Sequence, residues 1–180
     1  ETVTRSRAFS SPVRSMPRHA SLHTRSRVEE SSATAVSSFA AENALRGTTH
    51  AIDYGIVPWT VFTDPQLAGV GLLDSEVGEH GLSCTCNTVG FEHIAKAQIL
   101  GDTRGIIKMV MDRKSRRIVG IHLLAPNAGD LIGQAELILK NRMTVDGMLE
   151  TLPVFPTLSE SLRIAALSLV TDVSKLSCCV

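Results

Sequence analysis

The chain has 180 residues, 43% of them hydrophobic, and its 18 basic residues balance 18 acidic ones. This length allows one well-filled core but not two enzyme domains. A formal net charge of zero provides no overall field to attract nucleic acid or an anionic membrane. No apolar run approaches the roughly 20 residues of a membrane-spanning helix. We therefore expect a soluble protein that binds neither nucleic acid nor membrane.

Residues 1–35 differ in composition from the rest of the chain. They carry six Arg and only three Glu, are rich in Ser, and show no sustained helical or strand period, which is typical of disorder. An Arg-rich and Ser-rich composition also fits a mitochondrial transit peptide, but these Arg residues do not mark out an amphipathic helix. We predict a disordered or non-native segment here.

The next part of the chain alternates between short helical and strand patterns. Residues 35–45 predict a helix that the following glycine ends. Residues 56–72 are β-branched and aromatic but are broken at Pro65, which predicts two strand pieces. Asp74 is a candidate N-cap for a short helix that ends near residue 80.

Three further segments predict strands. Residues 84–91 alternate in polarity as a strand does. Residues 105–111 and 117–124 flank a turn rich in Asp, Lys, Ser and Arg. This arrangement predicts an antiparallel hairpin.

Two amphipathic helices are predicted after the hairpin. Their apolar stripes contain Leu131, Ala135, Ile138, Leu139 and Met143 in the first, and Leu158, Leu162, Ala165, Ala166 and Leu169 in the second. Thr157 and Glu160 have the spacing of a capping box at the start of the second helix. Strands followed by helices, without βαβ alternation, predict an α+β fold in which helices cover an antiparallel sheet.

Two cysteine pairs are the candidates for metal chemistry. Cys178 and Cys179 are adjacent near the end of the chain, where two soft thiolates can turn toward one thiophilic ion such as Hg(II). An incidental pair or an intermolecular disulfide is the alternative. Cys84 and Cys86 share one face of a predicted strand, where packing is the more common role and metal binding is the alternative. No Gly-rich nucleotide-binding motif is present.

Four segments in order resemble a known family. They are VPWTVFTDPQLAGVGL (57–72), DTRGIIKMV (102–110), VGIHLLAPNAGDLI (119–132) and PTLSE (156–160). They resemble the C-terminal dimerisation domain of the flavin-dependent pyridine nucleotide–disulfide oxidoreductases. The resemblance implies that residues 36–55 are a helix and linker from the end of the flavin domain, and that residues 56–180 are the dimerisation domain with a Cys-Cys tail.

The end of the chain is similar to that of the mercury(II)-reducing members. This similarity implies a cytoplasmic homodimer that uses FAD and NADPH, in which Cys178 and Cys179 capture Hg(II) and pass it to the partner subunit. Disulfide-reducing members have a catalytic His where this chain has Phe155, and mercury-reducing members commonly have a Tyr. Glu160 matches the glutamate that works with that His, although a capping role is equally compatible with the sequence.

Two alternative functions remain at this point. One is the dimerisation domain of a disulfide-reducing flavoenzyme, which Phe155 disfavours because phenylalanine cannot carry a proton. The other is a dimerisation module without a metal role. We also expect the chain to be an inactive fragment without the FAD and NADPH domains, with residues 1–35 arising from a wrong reading frame or a truncated junction.

Overall fold

The fold is built on one five-stranded antiparallel sheet, seen in a computed structural model that describes residues 33–172. The strands are β1 (Trp59–Val61), β2 (Gln66–Gly71), β3 (Cys84–Gly90), β4 (Ile106–Asp112) and β5 (Ile118–Ala125). Their spatial order is β1-β2-β5-β4-β3, and all neighbours are antiparallel. The predicted hairpin is the β4–β5 pair at the centre of this order.

Within the described residues, five α-helices accompany the sheet. They are α1 (Ala33–Arg46), α2 (Ala95–Leu100), α3 (Ala128–Lys140), α4 (Val145–Leu149) and α5 (Glu160–Ser168). Helix α1 begins two residues earlier than predicted and ends at Arg46. The next residue, Gly47, has a φ of +65°, a conformation that favours glycine. The α+β class, an antiparallel sheet covered by helices, is confirmed.

The hydrophobic core lies between one face of the sheet, here called the inner face, and two helices. Helix α3 packs on β2 and β5, and helix α5 packs on β3 and β4. Inner-face side chains are almost fully buried; they include Ala68, Val70, Val89, Ile107, Met109, Ile121 and Leu123. The predicted stripes of both helices face this core, so the assignment of their buried faces is confirmed.

The predicted short helix at Asp74 is wrong. Residues 74–81 form a series of turns closed by bonds such as Glu79 N to Glu76 O and His80 N to Val77 O. These bonds join residues three apart and do not continue into a helix. Asp74 caps nothing there, because its carboxylate binds Lys108 of β4.

The predicted capping box is also wrong. Helix α5 begins at Glu160, and the residue at its N-cap, Ser159, makes no side-chain cap hydrogen bond. Thr157 instead donates its hydroxyl hydrogen bond to the Val154 carbonyl oxygen at 2.7 Å. Thr157 lies two residues before this N-cap, so it does not occupy the capping position.

Candidate functional site

The chain from 152 to 155 forms an exposed apolar segment before α5. The exposed fractions are 94% for Leu152, 75% for Val154 and 55% for Phe155. We call residues 152–155 the apolar loop. Phe155 therefore presents its ring to solvent and holds no titratable group at the position where the family's disulfide-reducing members carry a histidine.

Glu160 is half-buried at the first position of α5. Its Oε2 atom is buried without a hydrogen-bond partner among the described residues. Burial raises the pKa of this carboxyl, and the nearby Arg163 guanidinium opposes the rise. A carboxyl with a raised pKa can carry a proton, but Phe155, five residues earlier in the chain, has no group that could exchange one with it.

The α5 segment is anchored to α4 through Arg163. Its guanidinium donates to the Leu149 carbonyl oxygen at 3.2 Å, just where α4 ends. Helix α4 is itself capped by Thr144, whose hydroxyl accepts from Gly147 N at 3.1 Å. These bonds fix the ends of the ten-residue connection that carries the apolar loop.

Cys84 and Cys86 lie on the face of β3 opposite the inner face, here called the outer face. Cys84 is half-buried and Cys86 is exposed. Neither belongs to the buried hydrophobic core. The alternation correctly placed both on one face of the strand, and the choice between packing and metal binding stays a prediction.

An ion pair between Asp74 and Lys108 lies beside these thiols. This ion pair was not predicted from the sequence. Lys108 Nζ lies 2.7 Å from Asp74 Oδ1, and its hydrogen bond lowers the pKa of the Asp74 carboxyl. The two residues are 34 positions apart, and only the antiparallel sheet brings them together. No sequence spacing predicts this pair.

Several charged side chains in the turns make contacts within the fold. Arg104 binds Asp102 at 2.8 Å and Asp64 at 3.0 Å, and it lowers the pKa of Asp102 to about 2. Asp112 accepts hydrogen bonds from the backbone and hydroxyl of Ser115 in the β4–β5 turn. These contacts tie loops together and bind no group of their own.

Cys178 and Cys179 fall outside the described residues 33–172. Within that range, no group of three or more His, Cys, Asp or Glu side chains could hold a metal ion. No helix in the same range is long and apolar enough to cross a membrane. The terminal pair therefore remains a prediction from the sequence.

The described residues do not fit a flavin or nicotinamide dinucleotide. Such cofactors bind at the ends of parallel strands, with a glycine-rich turn that leads into a helix. Every strand pair here is antiparallel, and the sequence lacks that glycine pattern. We therefore assign no cofactor contact to this part of the chain.

Residues 57–166 match the family model of the pyridine nucleotide-disulphide oxidoreductase dimerisation domain. The chain belongs to this family. Its relatives include oxidoreductases. It is 35% identical over 147 residues to a mercuric reductase of Streptomyces lividans, covering 82% of this chain and 31% of the relative. It is 38% identical over 147 residues to a mercuric reductase of Acidithiobacillus ferrooxidans, covering 82% and 27%.

Two solved structures share the same fold. LpdA from Mycobacterium tuberculosis superposes with a TM-score of 0.66 at 30% identity, over 73% of this chain and 29% of that one. The HOCl-induced flavoprotein disulfide reductase RclA from Escherichia coli gives a TM-score of 0.65 at 26% identity, over 73% and 30%. The chain thus spans about a third or less of the length of these relatives.

Proposed function

We propose that this chain is the dimerisation domain of an NADPH-dependent flavoenzyme that reduces Hg(II) to Hg(0). One observation carries the proposal: adjacent thiols, Cys178 and Cys179, end a chain that is 35–38% identical to mercuric reductases. FAD and NADPH supply the two electrons of the reduction and bind to regions outside the dimerisation fold. The proposed enzyme is a homodimer in a reducing cytoplasm, where its thiols remain free.

The terminal pair captures Hg(II) and passes it to active-site thiols of the partner subunit. Soft thiolates are the preferred ligands of such an ion. In each handover an incoming thiol forms one Hg–S bond, one existing Hg–S bond breaks, and the proton of the incoming thiol goes to the departing thiolate. The ion is never released, and no electron moves in these steps.

Disulfide reduction is the less favoured alternative, although RclA is a disulfide reductase with the same fold. That chemistry needs a group that carries a proton beside the departing thiolate. Phe155 provides none, and Glu160 is half-buried with an unpartnered Oε2. A module without any metal role remains the second alternative, and the following experiment separates it from the proposal.

A mercury titration of the reduced chain tests the proposal. The ultraviolet band of mercury–thiolate bonding is followed for the unmodified chain and for the Cys178→Ser/Cys179→Ser variant. We expect the variant to lose one tightly bound equivalent of Hg(II), because both thiols of the chelating pair have been replaced. Equal binding by both proteins would show that the terminal cysteines are incidental.

A further inference from the structure

A second pair of thiols lies on β3, an edge strand of the sheet. In β3, Asn87 lies on the inner face and donates to the Ser168 carbonyl oxygen of α5 at 2.9 Å. Cys84 and Cys86 alternate with it and therefore occupy the outer face, where Cys86 is exposed. The exposed Cys86 thiol is therefore open to an ion in solution, and Cys84 lies two residues away on the same face.

Both sulfurs contact the same residue on the adjoining turn. Cys84 Sγ lies 3.9 Å from the Asp74 carbonyl oxygen, and Cys86 Sγ lies 3.9 Å from Asp74 Oδ2. Residues two apart in a strand have Cα atoms about 6.7 Å apart, which is close to the upper limit for a disulfide. The geometry therefore favours two separate thiols that lean toward a common point over a disulfide between them.

We propose that Cys84 and Cys86 form a two-coordinate site for a soft, thiophilic metal ion, for which Hg(II) is the probe. Two thiolates are enough for a soft ion of this kind. A structural zinc site would need four ligands, and the described part of the chain contains no cluster of even three candidate ligands. This site is independent of the proposed capture role of the terminal pair.

Asp74 and Lys108 position the thiols for this reaction. Lys108 occupies Asp74 Oδ1 at 2.7 Å and balances its charge, so that Oδ2 remains to accept the hydrogen bond from the Cys86 thiol. When HgCl2 binds, two S–H and two Hg–Cl bonds break, two Hg–S bonds form, and two protons and two chloride ions pass to solvent. No oxidant or reductant takes part.

The test uses the Cys178→Ser/Cys179→Ser chain, in which Cys84 and Cys86 are the only thiols left of the four in the sequence. The reduced protein is loaded with HgCl2, challenged with excess glutathione, and examined by native mass spectrometry. The matched control adds Cys86→Ser, a small change at an exposed position. Thermal unfolding of both proteins verifies that the fold is unchanged.

We expect one mercury ion per chain, release of two protons, and at least about tenfold better retention against glutathione than in the control. Equal retention by the two proteins would overturn the proposal, as would mercury found only as a bridge between two chains. Because the terminal pair is absent from both proteins, either result leaves the proposed capture role of Cys178 and Cys179 to its own experiment.

Discussion

Glu160 has an environment that opposes its charged form. Its Oε2 atom is buried and receives no hydrogen bond from the described residues, and burial raises the pKa of the carboxyl despite the nearby Arg163. Phe155, five residues earlier, offers no proton acceptor. The pair therefore differs chemically from a His–Glu acid–base pair, and its contribution lies in packing and in the exposed apolar surface.

Replacing the carboxyl tests this description of Glu160. Because its folded pKa lies above the unfolded value, ionisation costs stability as the pH rises through and above the unfolded pKa. We expect Glu160→Gln to raise the free energy of unfolding at pH 7 by up to about 1 kcal/mol and to leave it unchanged well below the unfolded pKa. Urea unfolding across the pH range measures this difference, and a loss of stability at neutral pH would contradict it.

Sequence patterns placed the functional residues only in part. Alternation assigned Cys84 and Cys86 to one face, and that prediction is confirmed by the strand β3. Their contact with Asp74 depends on a tertiary fold of the turn, which no local period encodes. The predicted capping box is absent because α5 begins at Glu160, which leaves Thr157 two residues before the N-cap, where its hydroxyl donates to the Val154 carbonyl oxygen.

At the scale of elements, a close backbone approach joins β5 to the chain that follows β2. A Cβ added to Gly120 would clash with the Leu72 carbonyl oxygen. Leu72 N in turn donates to the Val119 carbonyl oxygen at 2.9 Å. The absence of a side chain at Gly120 is what allows this pairing.

Two glycine substitutions, used as a matched pair, test whether the close backbone approach requires Gly120. We expect Gly120→Ala to destabilise the fold by about 1–3 kcal/mol, since backbone must move. Gly133→Ala should stabilise it by about 0.5–1 kcal/mol, because this helical position in α3 is exposed and has no atom near the added Cβ. Chemical denaturation measures both, and similar effects of the two changes would refute the close-approach argument.

Element prediction succeeded where the apolar pattern was long and failed where it was short. The β4–β5 hairpin and the stripes of α3 and α5 each span several repeats of their period. Helices α2 and α4 have six and five residues, too few to show a helical period. Thr144, which caps α4, was the one available signal for that helix.

At the scale of the whole molecule, the apolar loop is one exposed apolar surface available for association. The stripe of α3 is buried against the sheet, whereas Leu152, Val154 and Phe155 project from the loop into solvent. A cluster of exposed apolar side chains favours association with another protein surface. In a dimerisation-domain family, a second copy of this chain is the expected partner.

We expect this domain to associate with a second copy of itself. Sedimentation equilibrium of the 180-residue chain tests this association most directly. We predict a dimer at micromolar concentration, weakened about tenfold or more by Leu152→Ser/Val154→Ser. The control Leu45→Ser alters an equally exposed apolar residue in α1 and should leave the dimer unchanged. A chain that stays monomeric throughout this range, or a dimer indifferent to the loop substitutions, would contradict the account.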